Sequence, residues 1–469
     1  VIESVKTRKR GMIMKRIRSS ERSKRGIADA VIGIDTLWGG DVLNPSGTGR
    51  FIADSWFSDD PLPRAYTDPA AARVRQSSGV AAPEPDRDAI DAYLHAVDLP
   101  GAIASVGREA RRIGGLRGAY LDGLALCLQV MWDLAMEVLG KGEAVPYARC
   151  CRASTGRAPE PSDPSARRAM VAELLAQEGY ESGDGDRLLA SVDAWRAERR
   201  VPARSIPALG AAFISHFDAL ASRNLVPHLP APLGRVPRAN IQFLPIRDAW
   251  FSGSMNYLGR ARGPDGRPEY EATYEINASL EISVPEFEQL VSHEVVPGHV
   301  TTFAFLQNLF MRGKVGFEAT VLTMNTRSAA LFEGIANNAI LIAHGVTSID
   351  QLPDRDLQLG TLLALLQDDA KNQSSYLTWQ EMMPQPEVAA ALRRDYLVSE
   401  ERAGKLSGAW GRHPLLGRMY LPAYRAGTEV VAALRRRFPP EEVLPALYGC
   451  RGLVDIVSVE HVLSGASRV

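Results

Sequence analysis

The string His293-Glu294-Val295-Val296-Pro297-Gly298-His299 places two histidines and a carboxylate in one short stretch. In the ordinary H-E-x-x-H arrangement of zinc hydrolases, two histidines four apart on a helix project about 40° apart and share one metal. The glutamate after the first histidine then sits beside the water that the metal activates. Here the histidines are six apart, and six residues of straight helix turn through roughly 240°, which points the second one away. Pro297 has no N–H to donate and Gly298 is permissive, so the helix is expected to break or bulge there and bring His299 back. The chemistry of such a site is hydrolysis by a metal-activated water, with His293 and His299 as ligands and Glu294 as general base. The same string also reads as a capped helix that ends at Pro-Gly with two ordinary histidines.

A catalytic zinc usually takes three protein ligands and leaves a fourth position for water. Glu333 is the only acid in the apolar run 329–343 (AALFEGIANNAILIA). A carboxylate on a buried helix needs a partner, because an unpaired buried charge is expensive, and zinc would supply one. A salt bridge to Arg327 or exposure at a helix edge would serve Glu333 as well. Asn337, one helical turn later, is placed to hydrogen-bond a histidine ring from outside the ligand set.

Ser283-Val284-Pro285-Glu286 has the S-x-x-E form of a capping box with Pro in the first turn, so a helix should start there and carry His293 and Glu294. Apolar residues recur at three- and four-residue spacings over 88–95, 102–112, 118–139, 165–179 and 185–199, which predicts helices in the first half. Residues 241–245 and 270–284 carry Tyr, Thr, Ile and Val in partial alternation and predict short strands before the metal helix. Everything after Pro285 reads mostly helical. The proline-rich stretch 226–237 (VPHLPAPLGRVP) is the expected lobe boundary. The expected organisation is therefore a mainly α, two-lobed protein: a basic, disordered segment over 1–27, a helical scaffold lobe over 28–230 and a catalytic metal-binding lobe over 238–469.

With 45% hydrophobic and 23% charged residues, the chain belongs with folded globular proteins rather than disordered or fibrous ones. Its net charge of −1 argues against a dedicated nucleic-acid binder. Ten of the basic residues fall within the first 27 positions, without interleaved aromatics, which is the pattern of a solvated terminus. The chain begins with Val1, and Met12 and Met14 offer later starts. No secretory h-region follows, no apolar run approaches the roughly 18 residues needed to span a bilayer, and the four cysteines form no CxxC. The expected setting is the cytoplasm, without membrane or nucleic-acid partners; the oligomeric state is not legible.

HEVVPGH followed by Glu333-Gly334 resembles the bacterial domain-of-unknown-function family 885, whose pattern is H-E-x-x-P-G-H-H and, downstream, E-G-W-A. Tyr274-Glu275-Ile276-Asn277 resembles the family's Y-x-V-N strand, and Tyr424-Arg425-Ala426-Gly427 its Y-K-I-G ending. These motifs span roughly residues 240 to 430. The resemblance implies a gluzincin-like helical metallopeptidase with zinc on His293, His299 and Glu333, Glu294 as general base, and a long cleft between helical lobes. Three positions depart from the pattern: Val300 replaces the second consecutive histidine, Ile335 the tryptophan, and Asn337-Asn338 a usually apolar stretch.

A hydroxyl is also needed for the charge that develops on the attacked carbonyl. Tyr424 is the candidate, with Tyr420, His413 and Tyr274 behind it. Arg425 could pair bidentately with a substrate carboxylate, which would favour a carboxypeptidase or dipeptidase. The expected substrate is a peptide or small amide. An amidase or esterase acting on a small specialised metabolite is a second reading, and a metal-free binding protein on the same scaffold a third.

Overall fold

The computed structural model describes residues 17, 19–43, 53–77, 86–181, 183–230, 240–246, 253–277 and 282–465. The chain is mainly helical. The helices before the sheet are α1 (Glu21–Leu37), α2 (Arg64–Thr67), α3 (Pro69–Ser77), α4 (Arg87–Ala96), α5 (Leu99–Ile113), α6 (Gly115–Val138), α7 (Tyr147–Thr155), α8 (Ser165–Gln177), α9 (Asp186–Glu198) and α10 (Ile206–Asn224). The five helices predicted from apolar spacing are α4, α5, α6, α8 and α9. Their starts have local causes: the Asp86 side chain accepts from Ala89 N and the Asp98 side chain from Gly101 N, each taking up an N–H that the helix itself leaves unsatisfied.

Residues 21–27, expected to be part of a disordered basic terminus, are instead the first turns of α1. Ser20 caps that helix by accepting from Ser23 N, and Ile27, Val31 and Ile34 bury one face of it. The charge run masked this apolar stripe, because Lys24 is spent on ion pairs with Glu21 and Asp60. Residues 1–16 lie outside the described residues.

Five strands, β1 (Ala53–Trp56), β2 (Asn240–Ile246), β3 (Gly253–Tyr257), β4 (Glu271–Asn277) and β5 (Val321–Thr323), form one sheet in the order β2-β4-β3-β1-β5. β4 runs parallel to β2 and antiparallel to β3, with Tyr274 opposite Met255. The strand predicted over 270–284 is shorter than expected. It ends at Asn277, 278–281 lie outside the described residues, and Ser283 already caps the next helix.

That helix is α11 (Val284–Glu294), followed by α12 (His299–Met311), α13 (Arg327–Asn337), α14 (Ala339–His344), α15 (Arg355–Trp379), α16 (Gln385–Tyr396), α17 (Glu400–Lys405), α18 (Leu421–Arg437), α19 (Pro440–Leu447) and α20 (Val459–Leu463). Two π-helical segments, Leu406–Trp410 and Leu416–Tyr420, lead from α17 into α18. At Ser283 half of the capping box forms. Its hydroxyl oxygen accepts from Glu286 N, and the Glu286 carboxylate accepts from the Ser283 hydroxyl at 2.7 Å and from the Arg196 guanidinium rather than from the cap's backbone N–H.

The packing does not divide at the proline-rich stretch. One core joins Val171, Trp195 and neighbours on α8 and α9 to Leu362, Leu366 and Leu392 on α15 and α16. A second gathers α1 and α3–α6 but also Phe317, Val321, Leu415 and Met419 from the second half. The third surrounds the sheet and joins Phe217 of α10 to Phe287, Phe303, Leu331 and Tyr448. The expected lobes 28–230 and 238–469 therefore share their cores; residues 231–237 of the proline-rich stretch lie outside the described residues. Among the described residues, no helix is long and apolar enough to cross a membrane.

Candidate metal centre

The Pro-Gly insertion breaks the helix as its chemistry requires. α11 ends at Glu294 and α12 begins at His299, and the connection is held by bonds across six residues, from Gly298 N to Ser292 O at 3.0 Å and from Thr301 N to Val295 O at 3.1 Å. The Val296–Pro297 peptide is cis, and Tyr448 donates its hydroxyl to Pro297 O at 2.8 Å. A Cβ at position 298 would run into the His293 carbonyl, so only glycine permits this close return.

The return brings the two imidazoles together, with ring centroids 4.8 Å apart and planes at 83°. Glu333 on α13 faces both. Its Oε2 lies 3.5 Å from His293 Nε2 and its Oε1 3.6 Å from His299 Nε2. Around a tetrahedral metal with bonds of about 2.0 to 2.1 Å, neighbouring ligand atoms are roughly 3.3 to 3.4 Å apart, so this spacing is near what one ion would bridge. The Glu294 carboxylate lies within 4.8 Å of both histidines.

Three observations fit a metal to these residues. The donor set, two histidines and a carboxylate, is that of hydrolytic zinc. Glu333 Oε2 is buried and has no hydrogen-bond partner among the described residues. Burial first, then the neighbouring His299, pushes the His293 pKa well below its ordinary value, so the ring is neutral, which is the form that ligates. Burial alone would raise the Glu333 carboxyl, but the neighbouring His299, by charge and by hydrogen bond, outweighs it with Lys371 and holds it below the ordinary carboxylate range.

The surroundings orient these groups. Asn337 donates its amide N–H to Thr428 Oγ1 at 2.8 Å and lies within hydrogen-bond reach of His293. Tyr420, expected among the weaker oxyanion candidates, has a different partner and donates its hydroxyl to Glu333 Oε1. Tyr424 stands on the same helical face, its ring 5.0 Å from that of Tyr420, and its buried phenol is pushed up by burial and then by Glu333. Tyr274 on β4 is buried near Glu294, whose charge adds to the effect of burial in raising its hydroxyl.

Tyr420, Tyr424 and Glu333 meet because α13 crosses α18, which begins directly after Tyr420, at two glycines. A Cβ on Gly334 would collide with the Gly427 backbone, and one on Gly427 with the Ala330 carbonyl. The E-G and Y-x-x-G motifs are thus two halves of one contact.

Two expected residues are elsewhere. Arg425 is one position past Tyr424, about 100° around the helix. It binds Glu429 at 2.8 Å and Pro161 O at 2.6 Å, away from the histidines, and so is not placed to hold a substrate there. His413 accepts from Leu415 N and Leu416 N, both at 3.2 Å, and closes a local turn.

A cleft of about 160 Å³ opens over His293, Glu294 and Tyr424. Its wall includes Lys371, Asp368, Arg402 and Trp410, none of which sequence reasoning singled out. Lys371 Nζ lies 3.0 Å from Asp368 Oδ1 and 3.3 Å from the centre of the Tyr424 ring. A signal was present: Asp368, Asp369 and Lys371 interrupt the leucine-rich pattern of α15.

No protein-family model and no curated protein matches the chain. Solved structures are similar to it in fold. A "putative lipoprotein" from Colwellia psychrerythraea superposes with a TM-score of 0.50 at 14% identity, over 78% of this chain and 66% of that one. A "putative lipoprotein of unknown function" from Shewanella oneidensis gives 0.45 at 12% identity, over 74% and 65%. This chain thus spans about two thirds of the length of each, and at such identity the first likeness speaks for the fold alone.

Proposed function

We propose that the chain is a zinc-dependent hydrolase of peptide or related amide bonds. The observation that carries this reading is the convergence of His293 Nε2 and His299 Nε2 on the two oxygens of Glu333, with Glu294 beside them under an open cleft. A bound zinc supplies Lewis acidity toward water and toward a carbonyl. Glu294 accepts the proton of the attacking water and returns it to the leaving nitrogen. The Tyr424 hydroxyl donates to the oxygen on which negative charge develops, and Tyr274 flanks Glu294 from the sheet. Tyr420 and Asn337 fix the carboxylate and imidazole orientations, so little reorganisation accompanies reaction. With Arg425 turned away, Arg196 and Arg402 are the guanidiniums that line the cleft; Arg196 is paired with Glu286, so Arg402 is our candidate for a substrate carboxylate, which keeps a carboxypeptidase- or dipeptidase-like reaction within this reading. The four cysteines are free, buried thiols, in keeping with a cytoplasmic setting.

Metal analysis tests this directly. Elemental mass spectrometry should find about one zinc per chain, lost in His293→Ala and in Glu333→Ala. A peptide library should then be cleaved by the wild type and spared after chelation. Absence of stoichiometric metal after zinc reconstitution would overturn the hydrolase reading and leave a binding protein on this scaffold.

A further inference from the structure

A second charged pocket lies at the far end of α18, where the ends of α10, α14 and α18 meet the start of α19. Arg435 forms its inner wall, eleven residues and roughly 16 Å along the helix from Tyr424. The side chain is only 8% exposed. Its guanidinium has neutral acceptors, Asn338 Oδ1 at 3.4 Å and the Val346 carbonyl. Burial pushes its pKa down to about 10, and the charges that act on it are Tyr448 and Arg436, with no carboxylate among them. A buried cation without a counter-ion is costly, so this one stands in need of an anion.

The rest of the pocket has the same sign. Arg223 and His228 line it, Thr347 adds a hydroxyl, and no acidic residue lines it among the described residues. Arg223 is exposed and makes no ion pair with a described residue. Two permanent positive charges suit a dianion better than a single carboxylate, and guanidinium forks match phosphate oxygens. A cavity of about 140 Å³ leaves room for more than the phosphate itself.

We infer that this pocket binds the phosphate group of a small molecule on Arg223, His228 and Arg435, at a site separate from the metal cleft. A purely structural Arg435, tying α18 to the loop after α14, predicts no anion binding.

Calorimetric titration with inorganic phosphate at fixed ionic strength tests the inference. The titration uses His293→Ala protein treated with chelator, so that a metal in the cleft takes no phosphate. One saturable site is expected, at least tenfold tighter for phosphate than for acetate and weakened at least tenfold in Arg223→Ala and in Arg435→Lys. Equal heats with acetate, or phosphate binding unchanged in Arg223→Ala, would overturn the assignment. Arg223 is exposed, so its variant keeps the fold and decides the matter even if Arg435→Lys does not fold. A phosphomonoester that binds more tightly than free phosphate would assign the ligand to an organic phosphate, and equal affinity to the free ion.

Discussion

Glu294 and Glu333 are both buried beside the same two histidines, and their neighbours separate their roles. Glu333 receives the Tyr420 hydroxyl and faces both imidazole nitrogens, whereas Glu294 lines the open cleft with Tyr274 behind it. Glu294→Gln should therefore keep its zinc while kcat/KM on a cleaved peptide falls roughly 10²- to 10⁴-fold, the range for a lost general base; simultaneous loss of metal would make Glu294 a ligand instead. Tyr420→Phe leaves the carboxylate less firmly held and should weaken zinc about 10- to 100-fold in a competition titration with a chelator. Residues 293, 294, 299 and 333 were legible as a candidate set because few residue types can hold a metal. The partner of Tyr420 was not, since a tyrosine four residues before another reads equally well as core.

Helices deliver these side chains, and glycines set how closely the helices approach. At the crossing of α13 and α18 neither Gly334 nor Gly427 has room for a methyl group, so Gly334→Ala or Gly427→Ala must push the backbones apart. Each should cost about 1 to 3 kcal/mol in denaturant unfolding and lower zinc affinity as well, because Glu333 rides on α13 and Tyr420 caps the start of α18. Gly404 in α17 is the control: a Cβ there meets nothing within 4 Å, and Gly404→Ala should be neutral or stabilising by up to about 1 kcal/mol. Helix positions were readable from apolar period and caps, as in α4 to α6. The start of α1 was hidden because its first turn is written in surface charge.

Across the whole molecule, ion pairs distant in sequence join the cores. Arg117 on α6 grips Glu318 through two bonds of 2.6 and 2.8 Å, and Arg418 holds Glu137 through two of 3.0 Å. Near the second pair sits His413, whose pKa burial, then Arg418, depresses to about 4. The folded state thus resists a proton that the unfolded chain accepts near 6.5. The stability tied to this group is complete above pH 6.5 and declines as pH falls from 6.5 toward 4, by about one proton in the linkage slope. His413→Asn keeps an acceptor for the Leu415 and Leu416 amides but has nothing to titrate. Urea midpoints for the two proteins should converge toward pH 4 relative to their difference at pH 7.5; a constant difference would show that His413 carries no such linkage.

Local chemistry in the sequence determined the helical character, the break at Pro297-Gly298, and the identities of the residues that could hold and use a metal. These depend on backbone freedom and side-chain type within a few residues, which a sequence states outright. Tertiary structure alone decided that Arg425 turns away while Arg402 lines the cleft, that Tyr420 serves Glu333, that the cores span the proline-rich boundary, and that Arg435 meets Arg223 and His228 in one pocket. Each depends on which helix faces meet, and that is settled by packing among segments up to hundreds of residues apart, where no local pattern carries the information.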